Sequence, residues 1–303
     1  MSAPGRATIV VVFAVLCAIW GSTWAVIRIG LRGVPPFSGV ALRFAIASVV
    51  LGLLALAFRL PLGRTRRERA LWWVNGVLAF SVSYGVVYWS EQWVPSGLTA
   101  VLFATYPLFV AIISHFILPE EALSRAELIG VIGGFAGVGL IFSEDLAALG
   151  GPQVAIASAV MLLSPSASAL SSVAIKRWGA GVHPLSLTAV PMAICACLTG
   201  AVALSTEREL TFSWNRTSIG ALLYLALAGS AVTFTLYYWL LSHLPAKRLA
   251  LIAYIIPVEA VLIGVFLGER LTPRILAGSI LVVFGVALAV HRRGRRSPRT
   301  AGG

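Results

Sequence analysis

Along this chain, apolar runs alternate with short polar breaks. Each run is close to the ~20 residues that an α-helix needs to cross a bilayer. Ten are legible, over 8–31, 38–57, 70–90, 96–118, 126–143, 153–175, 184–204, 218–241, 249–268 and 274–291. They lack the apolar–polar alternation over about 10 positions that marks a strand of a transmembrane barrel. The pattern predicts an all-α membrane protein with ten transmembrane helices. One run carries a charge where none is expected: "IAYIIPVEAVLIGVF", 252–266, contains Glu259, and no other charge falls between Arg248 and Glu269.

The runs repeat. "YW" at Tyr88–Trp89, followed by Pro95 and Pro107, recurs 150 residues later as Tyr238–Trp239, Pro245 and Pro257. Pro36 with Pro184, Gly130 with Gly278 and Gly137 with Gly285 are each 148 apart. Matches at so steady an offset indicate a tandem duplication: a first five-helix repeat over 1–150, a second over 151–291, and a basic tail over 292–303. Five spans per repeat is an odd number, so the two repeats insert with opposite orientation. The expected fold is therefore two inverted five-helix repeats, an architecture whose binding site lies near the midplane between them.

Composition agrees and adds the orientation. The 303 residues are 59% hydrophobic and 11% charged, with a mean hydropathy of +0.93. The net charge of +12 raises nucleic acid as a partner, but the cationic residues sit in loops and in the tail "HRRGRRSPRT", so nucleic-acid binding is not expected. Arg6, the arginines of "RLPLGRTRRER", Arg125, Lys176, Arg177, Lys247, Arg248 and the tail fall on one side of the topology. Only Arg32, Arg208, Arg216, Arg270 and Arg274 fall on the other. The positive-inside rule then places both termini in the cytoplasm, with the tail near anionic lipid headgroups. The first run extends to about Leu31 without a small-residue cleavage site, so it reads as a membrane helix and not as a signal peptide. An arginine-rich chain abundant in Ala, Gly and Val suggests a GC-rich bacterial genome, and hence the bacterial cytoplasmic (inner) membrane.

Several local stretches also resemble a known family. They are "WGSTW" in the first span, an arginine seven after Pro36, "EQWVPSGLTAVLFATYPLF" across spans three and four, and "PVEAVLIGVFLGERLT" followed by "GSILVVFGVAL". In order, spacing and orientation they resemble the EamA-type members of the drug/metabolite transporter superfamily over essentially the whole chain. The first repeat departs from the pattern in ending span four with "LPEEAL" in place of "LGER". The resemblance implies a secondary transporter with alternating access, often moving small metabolites outward, and supplies no substrate.

The residues themselves suggest where such a site lies. Glu259 is about 15 Å from either interface at helical rise. It serves either as a local donor to the Ala253 carbonyl freed by Pro257 or as a cavity-facing proton or cation site. Its counterpart at the 150 offset is Phe109, so the repeat does not require a carboxylate there. Arg43 also breaks the symmetry, standing opposite Pro191; it either snorkels outward, pairs with Glu91, or contacts an anionic group of the substrate. Trp20, Trp24, Tyr84, Tyr88, Tyr106, Tyr238 and Tyr254 collect around the expected centre, where a ring face and a polar handle suit an amphipathic solute. Trp72, Trp73, Trp89, Trp93, Trp178 and Trp214 read as interfacial belt residues, and Arg28 as an interface anchor.

Other features read as structural. "GVIGGFAGVG", 130–139, lies within an apolar span with no preceding strand and no lysine, so it is no phosphate loop. Gly130–Gly134 and Gly133–Gly137 are small-xxx-small pairs suited to close helix approach. Pro107, Pro165, Pro191 and Pro257 are expected to interrupt spans four, six, seven and nine. Cys17, Cys195 and Cys197 read as buried thiols, and the four histidines have no metal-ligand spacing, so neither metal nor cofactor is expected. The reading is an exporter of a small amphipathic metabolite such as an amino acid, in the lipid bilayer, with protons as the candidate coupling ion. The alternatives are an importer of a small metabolite, an intramembrane enzyme acting on a lipid-linked substrate, which lacks a clustered acid, base or nucleophile here, and a non-transporting membrane protein.

Overall fold

The computed structural model describes residues 5–60, 62–118, 124–143, 151–243, 252–269 and 271–291, with the backbone alone at 238, 241–243, 253, 254 and 289–291. All regular structure among them is helical: α1 (Arg6–Gly30), α2 (Pro36–Ala57), α3 (Arg66–Ser90), α4 (Ser96–Ile117), α5 (Arg125–Phe142), α6 (Pro152–Trp178), α7 (Ser186–Thr206), α8 (216–243), α9 (Ile252–Phe266) and α10 (Pro273–His291). The first eight include helices long and apolar enough to cross a membrane, whereas α9 and α10 carry shorter apolar stretches within the described residues. Large apolar side chains cover the outside, among them Leu56, Phe58, Phe266, Ile280 and Phe284. A water-facing surface would not tolerate this, but lipid does.

Local chemistry explains where helices start and break. Thr65 accepts from the Glu68 amide, and Ser124 and Asn215 form capping boxes with Glu127 and Ser218. Two of the four expected proline interruptions are present: α4 turns at Ala104–Thr105 before Pro107, and α6 at Leu162 before Pro165. In both, the first half ends at the residue whose carbonyl the proline ring would strike. By contrast, α7 and α9 continue through Pro191 and Pro257. In α7 the reason is visible. The Leu187 carbonyl, four residues before Pro191, accepts a hydrogen bond from Asn75 Nδ2 at 2.6 Å.

Asn75 begins a π-helical stretch in α3, Asn75–Val82, and α8 has another at Tyr224–Val232. The principal packing partners are α2 with α7, α5 with α10, α1 with α9, α4 with α6 and with α9, α3 with α6 and α7, and α2 with α8. At the α5–α10 crossing the two backbones approach closely. A Cβ on Gly137 would sit 2.7 Å from the Gly278 carbonyl oxygen, and one on Gly285 2.6 Å from that of Gly130. Gly134 belongs to the same seam, but Gly133 meets nothing within 4 Å. The seam is thus Gly130–Gly134–Gly137, and the expected Gly133–Gly137 pair is corrected.

Carboxylates tie the helix ends together. α2 and α4 have prolines at their N-caps, Pro35 and Pro95, which offer no side-chain acceptor. The free first-turn amides therefore need an acceptor from elsewhere. Glu207, after α7, accepts from Phe37 N at 2.7 Å and from Ser38 N at 2.8 Å. Glu269, after α9, accepts from Ser96 N at 2.7 Å and Gly97 N at 3.0 Å. At the opposite end of α3, Glu68 accepts from Gly63 N, Arg64 N and Ser186 Oγ. Glu207→Ala is expected to lower unfolding stability by about 1–2 kcal/mol. The exposed Glu209→Ala should leave it unchanged, and melting of the two variants in detergent checks the difference.

Candidate functional site

Arg43, two turns into α2, is 1% exposed. It neither snorkels nor hydrogen-bonds to Glu91, which corrects two of the roles expected for it. Its guanidinium crosses to the π-helical stretch of α8, where Nε donates to Ser230 Oγ at 3.0 Å and Nη2 to the Gly229 carbonyl at 3.2 Å. Nη1 faces Tyr88 Oη at 3.4 Å, and the plane lies over the rings of Tyr84 at 4.9 Å and Phe44 at 5.3 Å. A π-helical register redirects backbone groups in this way and recurs at functional sites. Helix α1 can come in close because Gly229 faces Thr23: a Cβ there would lie 3.0 Å from Thr23 Cγ2.

The aromatic residues form two groups beside this arginine. In one, Tyr84 packs on Phe44 and Phe80, Phe80 on Phe234, and Phe234 on Trp20, which also meets Tyr237. In the other, Phe103 joins Trp24 to Tyr106, whose hydroxyl donates to Ser172 Oγ at 2.8 Å. The side chains of Tyr238 and Tyr254 lie outside the described residues. Hydroxyls line the facing side. Ser83 Oγ lies 2.8 Å from Ser164 Oγ and accepts from Ser168 at 2.9 Å, while Ser171 donates to Asn75 Oδ1 at 2.8 Å. The sequence drew no attention to these serines, since singly each is an ordinary residue of a membrane helix.

A cavity of about 240 Å³ reaches this region from one end of the bundle. It is lined by Leu51, His183, Pro184, Leu185, Thr188, Phe234 and Thr235. Phe234 is shared with the aromatic chain, so the cavity borders the first aromatic group.

The two candidate carboxylates occupy different settings. Glu259 is part-exposed on the flank of α9 toward α1, its carboxyl group laid over Gly21, where any larger residue would displace it. Glu91, in the link between α3 and α4, is 1% exposed, and neither carboxylate oxygen has a hydrogen-bond partner among the described residues. Burial pushes its pKa well above the carboxylate range; Arg28 and Arg43 oppose that rise and Glu269 adds to it. Arg28 is more than an interface anchor. Its Nη1 donates to the Val94 carbonyl at 2.5 Å and to the Glu91 carbonyl at 3.2 Å, and its Nε lies 3.8 Å from Glu269. Trp72 donates to Ser186 Oγ at 2.8 Å, and Cys197 is exposed, unlike Cys17 and Cys195.

These features define a multi-pass helical membrane protein with a polar, aromatic interior. The chain belongs to the EamA-like transporter family, whose model matches it twice, over residues 7–143 and 155–291. It is 32% identical over 278 residues to "Uncharacterized inner membrane transporter YedA" of Escherichia coli K12, covering 90% of this chain and 87% of that one. It is 26% identical over 280 residues to "Uncharacterized transporter YoaV" of Bacillus subtilis, covering 92% and 95%. A crystal structure 21% identical in sequence superposes with a TM-score of 0.64, covering 96% of this chain and all of the other, which is a likeness of fold alone. The protein is a membrane transporter, and the family and the relatives' names point away from an enzyme.

Proposed function

We propose that this transporter exports a small amphipathic metabolite, such as an amino acid, by alternating access between two inverted five-helix repeats, residues 1–150 and 151–291. Several observations support the inverted arrangement. The two π-helical stretches stand at corresponding positions, beginning at Asn75 and Tyr224. Helix contacts also come in matched sets: α3 with α7 and α2 with α8, α4 with α6 and α9 with α1. The charge distribution supports cytoplasmic termini and tail, 292–303, in a bacterial inner membrane.

The observation that carries the functional reading is the cavity at His183, at the end of the bundle opposite the Glu269 clasp. On this topology the cavity at His183 opens toward the cytoplasm, while Glu269 and Arg28 bind the outer ends of α1, α4 and α9. A solute entering from the cytoplasm first meets Phe234 and Trp20, with Tyr84, Arg43 and Tyr88 beyond. Trp24, Tyr106 and Glu259 lie along the α1, α4 and α9 walls. The aromatic faces suit the solute's apolar part, and Glu259 its cationic part. Efflux from loaded proteoliposomes, screened over amino acids and related metabolites, tests this. Saturable release of one solute class is expected, with KM raised about tenfold in Trp20→Ala. Equal KM values in the two proteins contradict the placement of the site.

A further inference from the structure

We propose that Glu91 is a proton-binding site that couples this transporter to a proton gradient, its carboxyl group shut away from water by the Arg28–Glu269 clasp. The proposal rests on the reading of the chain as a transporter. Its starting point is the side chain itself: 1% exposed, with both oxygens free of any hydrogen bond among the described residues. An ionised carboxylate in that position has lost its water and gained no donor, whereas the neutral acid has far less to lose.

The charged and titratable neighbours do not fill the role of partner. From α1, Arg28 spends Nη1 on backbone carbonyls and turns Nε to Glu269. From α2, Arg43 is committed to Ser230, Gly229 and Tyr88. Glu269 from the α9–α10 link brings a negative charge, which favours the protonated acid, and Tyr88, one turn earlier in α3, is engaged by Arg43. The part of α6 packed on this end of α3, Pro152–Met161, has no titratable residue, and neither does the first half of α4. That part of α6 does hold Ser158, fully buried, whose hydroxyl likewise has no hydrogen-bond partner among the described residues. Glu259 offers no comparable seclusion, being part-exposed.

A proton site must also be able to reach water. Gln92, the next residue, is exposed, so Glu91 lies just beneath the end of the bundle. At this end of the bundle a pairing of side chains joins the helices. Glu269 holds the N-terminus of α4 through Ser96 and Gly97 and faces Arg28 across 3.8 Å. Opening that end for solute release parts these groups, and the same movement lets Glu91 exchange its proton with the outer solution.

Two measurements on full-length protein test the proposal, with Glu91→Gln as the neutral isostere and Glu91→Asp as a titrating control. The first is thermal stability against pH in detergent. A carboxyl group that stays protonated in the folded state contributes stability that is lost as pH rises. Wild type is expected to lose stability with rising pH more steeply than Glu91→Gln, and Glu91→Asp to keep the dependence. The second is flux in proteoliposomes under an imposed pH gradient, expected to accelerate wild type and to leave Glu91→Gln at its ungraded rate. Identical pH dependence of stability in wild type and Glu91→Gln overturns the site. So does a sodium gradient that replaces the pH gradient in wild type, which would make it a metal-cation site. If wild type moves no solute, the transport reading fails, and the stability comparison still decides whether Glu91 binds the proton.

Discussion

Arg43→Ala is expected to destabilise the folded protein by about 3–5 kcal/mol and to abolish flux. The substitution opens a cavity among α2, α3 and α8 and leaves the Gly229 carbonyl, Ser230 and Tyr88 without the donor that joins them. In a dry interior each unpaired group costs about 1–3 kcal/mol. The lost stacking over Tyr84 and Phe44 adds to this. Arg43→Lys separates charge from geometry. Lysine keeps the charge but lacks the planar fork that serves three partners at once. It should fold with intermediate stability and transport poorly. Melting in detergent alongside efflux checks both; full flux in a stable Arg43→Ala would show that the arginine is dispensable.

The second large effect is expected at the α5–α10 seam. Gly285→Leu would place its side chain where the Gly130 carbonyl and Gly134 backbone lie. Backbone cannot yield as a flexible side chain does, so the helices must separate and the yield of folded protein should collapse. Gly285→Ala already puts its Cβ within 2.6 Å of that backbone, so it too must push the helices apart and should cost more than the ~1–3 kcal/mol of ordinary overpacking. Gly133→Ala and Gly139→Ala meet nothing within 4 Å and should be neutral, or stabilising by up to about 1 kcal/mol through helix propensity. Size-exclusion profiles and melting of the four variants would separate seam from surface.

Much of the helical framework is legible in hydropathy, because the lipid requires long uncharged runs. Where boundaries shift, the cause is local. α3 begins at Arg66 and not near 70, since a threonine cap and an arginine-rich first turn form a good helix start that an apolar criterion passes over. Proline positions alone do not say which helices break: the Asn75 side chain, distant in sequence, satisfies the carbonyl that Pro191 sets free. The carboxylate clasps are harder still. The one local sign of them is a helix opening on proline with no capping side chain, at Pro35 and at Pro95; nothing there identifies Glu207 or Glu269 as the acceptor.

The site was legible in part for the same reason. Arg43, Tyr84 and Tyr88 stand out as polar or amphipathic groups in apolar runs, and they do meet. Their true partners, Ser230 and the Gly229 carbonyl, come from a π-helical register that no residue pattern announces. Glu91 and Glu259 were both visible as carboxylates. Their difference, one sealed and unpartnered and the other part-exposed against Gly21, depends on packing between helices far apart in the chain.

The claim that solute passes through the interior between the two repeats is tested most directly by release from loaded vesicles holding wild type or Glu259→Gln. Wild type should move one class of small amphipathic metabolite saturably. The variant should fold, since glutamine fits the space over Gly21, and should release that solute at least about tenfold more slowly. Equal release by a folded Glu259→Gln would remove Glu259 from the site and leave it a packing residue, and no saturable release by wild type would contradict the account.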